Sequence, residues 1–185
     1  MIFAIYQDKR TVFRLIDIAL LTSETNFQTL NRKLNYYVKT GKLNNPRKGI
    51  YTKTNYDPQE LACKIYTPSY ISLELVLQKA GIIFQYDPGI TSVSYLRRDV
   101  EIDGQIYRYR KIKGEILTNQ EGIFQQENDL NIASPERAFL DMLYLNPKYH
   151  FDNLHPLNKE TVFKLLSIYS TNSIAASVKK LLQND

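Results

Sequence analysis

The stretch Thr25–Tyr56 reads TNFQTLNRKLNYYVKTGKLNNPRKGIYTKTNY and contains seven Lys or Arg residues but no Asp or Glu. Capping-box spacing between Thr25 and Gln28 predicts the start of a helix, and Gly41 predicts its end. The apolar residues between them recur at helical spacing, at Phe27, Leu30, Leu34 and then Tyr37 or Val38. The stretch therefore predicts a basic amphipathic helix followed by a second, turn-rich half.

The face of this helix opposite the apolar stripe carries amides and cations. Asn and Gln side chains can pair with adenine in the major groove of DNA, and Arg can pair with guanine. Lys and Thr more often hold phosphates, which fixes the register of a protein on DNA without reading the sequence. The base-reading candidates are Gln28, Asn31, Arg32 and Asn35. Further candidate DNA contacts on this helix are Thr25, Asn26, Thr29, Lys33 and Lys39.

The second half of the stretch predicts a β-hairpin wing. Leu43 and Ile50-Tyr51 flank the turn-forming run Asn44–Gly49. Arg47 and Lys48 fall at the tip of this turn, where they are candidate contacts to a phosphate or a minor groove. The alternative is an ordinary exposed turn, in which Lys and Arg are common. The preceding basic helix favours the wing.

The residues upstream complete a recognisable module. Residues 2–8 predict a short helix, and a second amphipathic helix is predicted from Val12, Leu15, Ile16, Ala19 and Leu20. These elements predict a winged helix-turn-helix over residues 1–56, a fold used to bind duplex DNA. Residues 1–56 contain 10 Lys+Arg and 3 Asp+Glu, whereas residues 57–185 contain 14 and 16. The excess positive charge suits a polyanion-binding module; the alternative is a solvated basic surface.

Residues 57–185 predict a second domain of mixed α/β structure, with a small antiparallel sheet and several helices. The whole chain is therefore predicted to be α+β. The segment Asp57-Pro58-Gln59-Glu60 predicts a helix start, with Asp57 as the cap. Ser72 predicts the cap of another helix that ends at Gly81. Ser134-Pro135-Glu136 opens a clear helix in which Arg137 and Asp141 form an i, i+4 pair, and two more amphipathic helices are predicted around residues 162–169 and 174–182.

The middle of the chain predicts β-structure. Asp103-Gly104 is a two-residue hairpin signal, and its register pairs Asp99 with Arg108, Glu101 with Ile106 and Val100 with Tyr107. One face of this hairpin is apolar and fits a core. The other carries opposed charges, which favours structural ion pairs over a second DNA site. Further short strands are predicted near Ile116-Leu117, Ile123-Phe124 and Leu130-Asn131-Ile132.

No motif in the sequence predicts catalysis. A Walker loop, a dinucleotide-binding glycine motif and an HExxH pair are all absent from the sequence. His150 and His155 lie five residues apart around Asp152, which is poor spacing for metal ligands. The lone Cys63 rules out an internal disulfide and a cysteine-based zinc site. We therefore expect a protein that is not an enzyme and uses no metal or cofactor.

The sequence contains no apolar run long enough to span a bilayer. The apolar start Met1–Tyr6 is followed at once by Asp8-Lys9-Arg10, whereas a signal peptide places its charge before a longer apolar core. These observations predict a cytoplasmic protein without a membrane partner.

Three stretches resemble the AbiEi-type antitoxins, the transcriptional regulators of type IV abortive-infection toxin–antitoxin systems. They occur in the family's order and are Lys42-Leu43 through Tyr51, Pro68–Glu74 through Ile83, and Ile132–Asp141. The resemblance implies an N-terminal winged helix that represses its own operon and a C-terminal domain that antagonises a nucleotidyltransferase-type toxin. Its expected partners are thus double-stranded DNA of its own promoter and that toxin. We interpret Ser72, Glu136 and Asp141, at positions shared with the family, as cap and helix-surface residues without a catalytic role.

Two other classes of function remain open at the level of sequence. The first is a stand-alone winged-helix regulator, or an interaction module whose basic surface docks on an acidic protein. The second is a nuclease that uses the carboxylates between Asp99 and Asp103. The Glu101-Ile102-Asp103 segment lacks the lysine that a nuclease motif of that kind would need.

Overall fold

The computed structural model describes residues 1–169 and 172–183. The chain divides into two compact units. We call them the N-terminal unit, which is Met1–Thr67 with Gln126–Leu130, and the C-terminal unit, which is Pro68–Gln125 with Asn131–Asp185. Both contain helices and strands, so the predicted α+β class is confirmed.

The N-terminal unit contains four helices and three strands along its described residues. In chain order they are α1 (Ile2–Gln7), β1 (Val12–Arg14), α2 (Leu15–Thr22), α3 (Phe27–Lys39), β2 (Asn44–Arg47), β3 (Ile50–Thr52) and α4 (Pro58–Ile65). The strands form a small antiparallel sheet in the order β1-β3-β2. A core of Ile5, Phe13, Ile18, Leu30, Leu34, Leu43 and Tyr51 joins the helices to this sheet.

The predicted helix from Val12 is wrong at its start, because Val12–Arg14 forms β1 and α2 begins only at Leu15. Val12 and Phe13 are both fully buried. Val12 pairs with Thr52 and Phe13 pairs with Tyr51 in the sheet. The apolar residues at i, i+3 and i+4 therefore reflect a strand running directly into a helix, rather than one continuous helix.

Helix α4 belongs to the N-terminal unit, so this unit extends beyond the boundary predicted at residue 56. The buried carboxylate of Glu60 is the physical reason. It accepts hydrogen bonds from the backbone amides of Thr11 (2.6 Å) and Val12 (3.1 Å) and from the side chain of Asn128 (2.8 Å). Glu60 thus joins α4 to β1 and to the segment Gln126–Leu130.

The C-terminal unit is built on a six-stranded sheet. Its elements are β4 (Ser69–Ile71), α5 (Glu74–Lys79), β5 (Ile90–Ser94), β6 (Arg98–Ile102), β7 (Gln105–Lys111), α6 (Gly114–Thr118), β8 (Ile123–Gln125), β9 (Asn131–Ala133), α7 (Pro135–Leu145), α8 (Lys159–Leu165), a 3₁₀ turn (Leu166–Tyr169) and α9 (Asn172–Gln183). The strand order is β6-β7-β5-β4-β9-β8. Two pairs, β4–β9 and β5–β7, are parallel. The sheet is therefore larger than the small antiparallel sheet predicted here, and it is mixed, since β4–β5, β6–β7 and β8–β9 are antiparallel while the other two pairs are parallel.

The predicted hairpin at Asp103-Gly104 is confirmed with its register. Asp99 pairs with Arg108, Val100 with Tyr107, and Glu101 with Ile106. The strand predicted at Ile116-Leu117 is wrong, because these residues lie in α6 and both are buried. A pair of adjacent apolar residues has no period, so it could not distinguish a strand from a single helical turn.

Within residues 1–169 and 172–183, no helix is both long and apolar enough to cross a membrane.

Candidate nucleic-acid interface

Helix α3 is held at its start by Asn26 and along one side by two leucines. The Asn26 side chain accepts a hydrogen bond from the backbone amide of Thr29 (3.0 Å), so Asn26 is the cap and the predicted cap at Thr25 is wrong. Leu30 and Leu34 are fully buried and fix the inner face of α3. The link from α2 is short, because Ser23 adopts a left-handed conformation directly after Thr22.

The outward face of α3 carries a continuous ridge of four polar side chains. A helix turns by about 100° per residue, so the side chains opposite Leu30 and Leu34 fall at i, i+4, i+7 and i+11. We call them the outer ridge, which consists of Gln28, Arg32, Asn35 and Lys39. All four are exposed. Within the described part of the chain, none of the four has a hydrogen-bond or ion-pair partner.

The other residues predicted on α3 are less free to reach a ligand. Thr29 and Asn31 lie on the flanks of the helix and are half-buried, and Thr25 is exposed just before the helix starts. The Lys33 ammonium lies 3.0 Å from a carboxylate oxygen of Glu24. This hydrogen bond lowers the pKa of Glu24 below its ordinary value. Lys33 therefore has an internal anion that would compete with a phosphate.

The hairpin that follows α3 is tighter than the sequence predicts. Strand β2 already begins at Asn44, so the turn contains only Lys48 and Gly49 instead of the whole run Asn44–Gly49. Gly49 has a φ of 78°, a backbone conformation that residues with a side chain rarely adopt. The amide of Asn45 donates hydrogen bonds to the carbonyl oxygens of Arg47 (2.9 Å) and Ile50 (2.6 Å), which closes the hairpin from one side.

The two cations predicted at the tip differ in their surroundings. Lys48 is exposed in the turn. The Arg47 guanidinium instead lies over the ring of Tyr66, 4.9 Å from its centroid, and donates to the Tyr66 hydroxyl at 3.3 Å. Arg47 is thus held against the N-terminal unit, and Lys48 is the freer cation of the pair.

Two exposed residues next to these side chains did not appear among the predicted contacts. Tyr36 lies beside the outer ridge on α3 and is 57% exposed. Lys42 is exposed between α3 and β2. Lys42 belongs to the same carboxylate-free stretch, so charge was the available signal for it, and Tyr36 follows Arg32 by four residues on α3, so helical spacing was the signal for Tyr36.

A buried polar cluster in the C-terminal unit was missed by the sequence analysis. It consists of Tyr70, Ser72, Arg137, Asp141 and Tyr169. Arg137, Asp141 and Ser72 are fully buried. The interpretation of Asp141 as a helix-surface residue and of Ser72 as a cap is therefore wrong. Ser72 precedes the actual cap position at Leu73, and its hydroxyl donates to a carboxylate oxygen of Asp141 at 2.7 Å.

Asp141 is the acceptor at the centre of this buried polar cluster. Hydroxyl groups of Tyr169 (2.6 Å) and Tyr70 (3.0 Å) also donate to it, and Nε of Arg137 lies 3.6 Å away. Arg137 donates in addition to the carbonyl oxygens of Ile116 (2.7 Å) and Glu121 (2.9 Å). Burial raises the pKa of the Asp141 carboxyl above its ordinary value, and the guanidinium and hydroxyl groups offset this only in part. The cluster is closed from solvent, so it serves packing rather than ligand binding.

The carboxylates considered for nuclease chemistry are spread along a hairpin. Asp99 forms an ion pair with Arg110, and Asp103 lies in the turn with a positive φ. Among the residues that the structure describes, no group of three or more His, Cys, Asp or Glu side chains is arranged to hold a metal ion.

Comparison of the sequence with protein-family models gives no match, and comparison with curated proteins gives none either.

Proposed function

We propose that the N-terminal unit is a winged helix-turn-helix that binds double-stranded DNA in a sequence-specific manner, and that the protein represses its own promoter. The order α1-β1-α2-α3-β2-β3 supports this proposal. So does the short link between α2 and α3, since a turn of three to four residues joins the two helices of such motifs. In this arrangement α3 is the recognition helix and the β2–β3 hairpin is the wing.

The observation that carries the proposal is the outer ridge of α3. A side chain that enters the major groove must be exposed, must have unused hydrogen-bonding groups and must tolerate the phosphates on either side. Gln28, Arg32 and Asn35 meet these conditions and can address base edges. Lys39, at the end of the ridge, can neutralise a phosphate. The only acidic side chain close to α3 in sequence, Glu24, is bound to Lys33.

The contacts outside the outer ridge fall into two groups. Lys48 at the tip of the wing and Lys42 before it are exposed cations suited to the phosphate backbone. To contact a phosphate, Lys33 would have to leave or share its partner Glu24, and Arg47 would have to leave or share its partner Tyr66. We therefore assign the main phosphate contacts to Lys39, Lys42 and Lys48.

Fluorescence anisotropy of the full-length protein with labelled duplexes tiled across its own upstream region tests the proposal. We expect one duplex to bind more tightly than a scrambled duplex of equal length, with an affinity that falls as salt rises. The combined variant Arg32→Ala/Lys39→Ala should bind the preferred duplex much more weakly. Lys148→Ala, which removes an exposed cation from the C-terminal unit, is the matched control and should retain wild-type affinity.

Two results would contradict the proposal. The first is wild-type affinity in Arg32→Ala/Lys39→Ala, which would place the DNA site elsewhere. The second is equal binding of all duplexes, which would leave a basic surface without sequence readout.

We further propose that the protein acts as an antitoxin against a nucleotidyltransferase-type toxin; the support for this is the resemblance of residues 42–141 to AbiEi-type antitoxins. The alternative is a stand-alone regulator without a toxin partner. Co-expression of the full-length chain with the product of an adjacent gene separates the two. Relief of that product's toxicity supports the antitoxin, and unchanged toxicity supports the stand-alone regulator.

A further inference from the structure

A cleft of about 590 Å³ lies in the C-terminal unit, between the sheet and helices α5 and α7. Its volume is in the range of pockets that hold small molecules, which is roughly 300–1,000 Å³. Its apolar wall consists of Leu73, Met142 and Leu145, and Tyr149 and Asn146 complete one side. No residue of the outer ridge or the wing contributes to it.

Three cations and one carboxylate line the same cleft. The cations are Arg97, Arg110 and Lys111, and the carboxylate is Glu74. Arg110 is paired with Asp99. Arg97 and Lys111 are exposed, and the described part of the chain offers neither of them an ion-pair or hydrogen-bond partner. The residues that line the cleft therefore include two cations without an internal counter-charge.

Arg97 and Arg110 line the cleft from the same hairpin. Arg97 directly precedes strand β6, whose first residue, Arg98, pairs with Tyr109 of β7. Arg110 already has a counter-charge in Asp99, whereas no ion pair of Arg97 is found among the described residues. A bound anion would therefore add a counter-charge for Arg97 without displacing an existing partner.

The backbone at the wall of the cleft is also strained. Leu73 has a φ of 61° and a ψ of −137°, a region that residues other than glycine rarely enter. Strain of this kind persists where the surrounding structure fixes a residue, and it is concentrated at binding sites. Leu73 is 1% exposed, so its side chain is packed behind the wall of the cleft, and the half-buried Leu145 offers the more accessible apolar surface.

We propose that this cleft binds a small organic anion, in which a carboxylate or phosphate group lies against Arg97 and Lys111 and an apolar body lies against Leu145 and the part of the wall that Leu73 and Met142 support. The anionic group gains charge-assisted hydrogen bonds, which are stronger than those between neutral groups. Glu74 faces the same space and opposes the charge of the ligand. This site is independent of the proposed DNA binding, since it uses no residue of the N-terminal unit.

Fluorescence titration of the full-length protein with anilinonaphthalene sulfonate, an aromatic body that carries one anionic group, tests the proposal. Arg97→Gln/Lys111→Gln should lower the affinity at least about tenfold, because two charged hydrogen bonds are lost. Glu74→Gln should raise the affinity, because it removes the opposing charge. Phenyl-naphthylamine, the same aromatic body without the sulfonate, should bind the wild-type protein more weakly than the sulfonate does.

The matched control is Arg98→Gln. Arg98 is an exposed cation in the same hairpin, but it does not line the cleft, so this variant should bind the dye as the wild type does. Displacement of the dye by phenyl phosphate or by benzoate supports the site and tells which anionic group it prefers. Failure of both to displace the dye overturns the proposal.

Equal losses of dye affinity in Arg98→Gln and in the double variant would also overturn the proposal, since they would show that the dye responds to the overall charge of the protein rather than to this cleft. Arg97→Gln and Lys111→Gln are made singly as well, and thermal unfolding of each establishes that it is folded before titration. Both substitutions lie at exposed positions, where changes rarely cost more than about 0.5 kcal/mol.

Discussion

At the scale of single residues, exposure separates the side chains that are available to the proposed DNA site from those that have partners within the fold. The sequence places Gln28, Arg32, Asn35 and Lys39 on one face of a helix, and their exposure follows from the burial of Leu30 and Leu34. The predicted set was larger because spacing within a helix cannot reveal a partner that lies outside that helix. Lys33 bound to Glu24 lies outside what periodicity can predict.

Arg32→Ala should erode the preference for the cognate duplex more than it weakens binding in general. A bidentate contact from Arg to guanine contributes about 1–3 kcal/mol of discrimination against the wrong base. The measurement is the ratio of affinities for the preferred and scrambled duplexes. Equal losses on both duplexes would contradict base reading and reduce Arg32 to a phosphate contact.

Asn26→Ala should destabilise the protein by about 0.5–2 kcal/mol, because the backbone amide of Thr29 loses its acceptor. Thr25→Ala is the matched control, since Thr25 is the neighbouring exposed residue that the sequence predicted as the cap. Its effect should stay within about 0.5 kcal/mol. Urea denaturation followed by circular dichroism measures both, and a larger loss for Thr25→Ala would reverse the assignment of the cap.

At the scale of elements, the β2–β3 hairpin illustrates why strand boundaries are hard to predict. Asn44, Asn45 and Pro46 are typical of turns, yet they belong to β2. Two hydrogen bonds from the Asn45 side chain and an irregular register between Asn44 and Arg47 make this possible. The hairpin at Asp103-Gly104 was predictable because a two-residue turn fixes which residues of the two flanking strands pair with each other.

The two cations of the wing should respond differently to substitution. Lys48→Ala should flatten the dependence of DNA affinity on salt by about 0.9 in log–log slope, which corresponds to one lost phosphate contact. Arg47→Ala should change that slope less and instead lower stability by about 0.5–1 kcal/mol, because its guanidinium leaves the ring of Tyr66. Anisotropy at several salt concentrations, with urea denaturation alongside, separates the two effects. A larger change of slope in Arg47→Ala than in Lys48→Ala would contradict the assignment.

At the scale of the whole molecule, each unit depends on polar residues whose partners are far away in the sequence. Glu60 bonds to Thr11 and Asn128 in the N-terminal unit, and Asp141 bonds to Tyr70, Ser72 and Tyr169 in the C-terminal unit. Both acids lie on amphipathic helices, where a polar residue is normally expected to face solvent. The helices were therefore predictable, whereas the extension of the N-terminal unit to Thr67 and the buried polar cluster were not.

Arg137→Ala should destabilise the C-terminal unit by about 3–5 kcal/mol at neutral pH, because it leaves the buried Asp141 without its counter-charge. The pKa of Asp141 in the folded protein is raised by burial above the value in the unfolded chain, so stability is lost as rising pH ionises this group. The loss in Arg137→Ala should therefore be smaller at acidic than at neutral pH. Arg98→Ala, at an exposed position, is the control, and equal stability of the two variants would contradict a structural role for the cluster.

The central claim is that the outer ridge of α3 lies in the major groove of DNA, and site-specific photo-crosslinking tests it most directly. The full-length protein carries p-benzoyl-phenylalanine either in place of Asn35 on the ridge or in place of Phe3, which is 71% exposed on α1. We predict ultraviolet-induced crosslinks from position 35 to bases of the preferred duplex and none from position 3. Crosslinks from position 3 with none from position 35 would contradict the account.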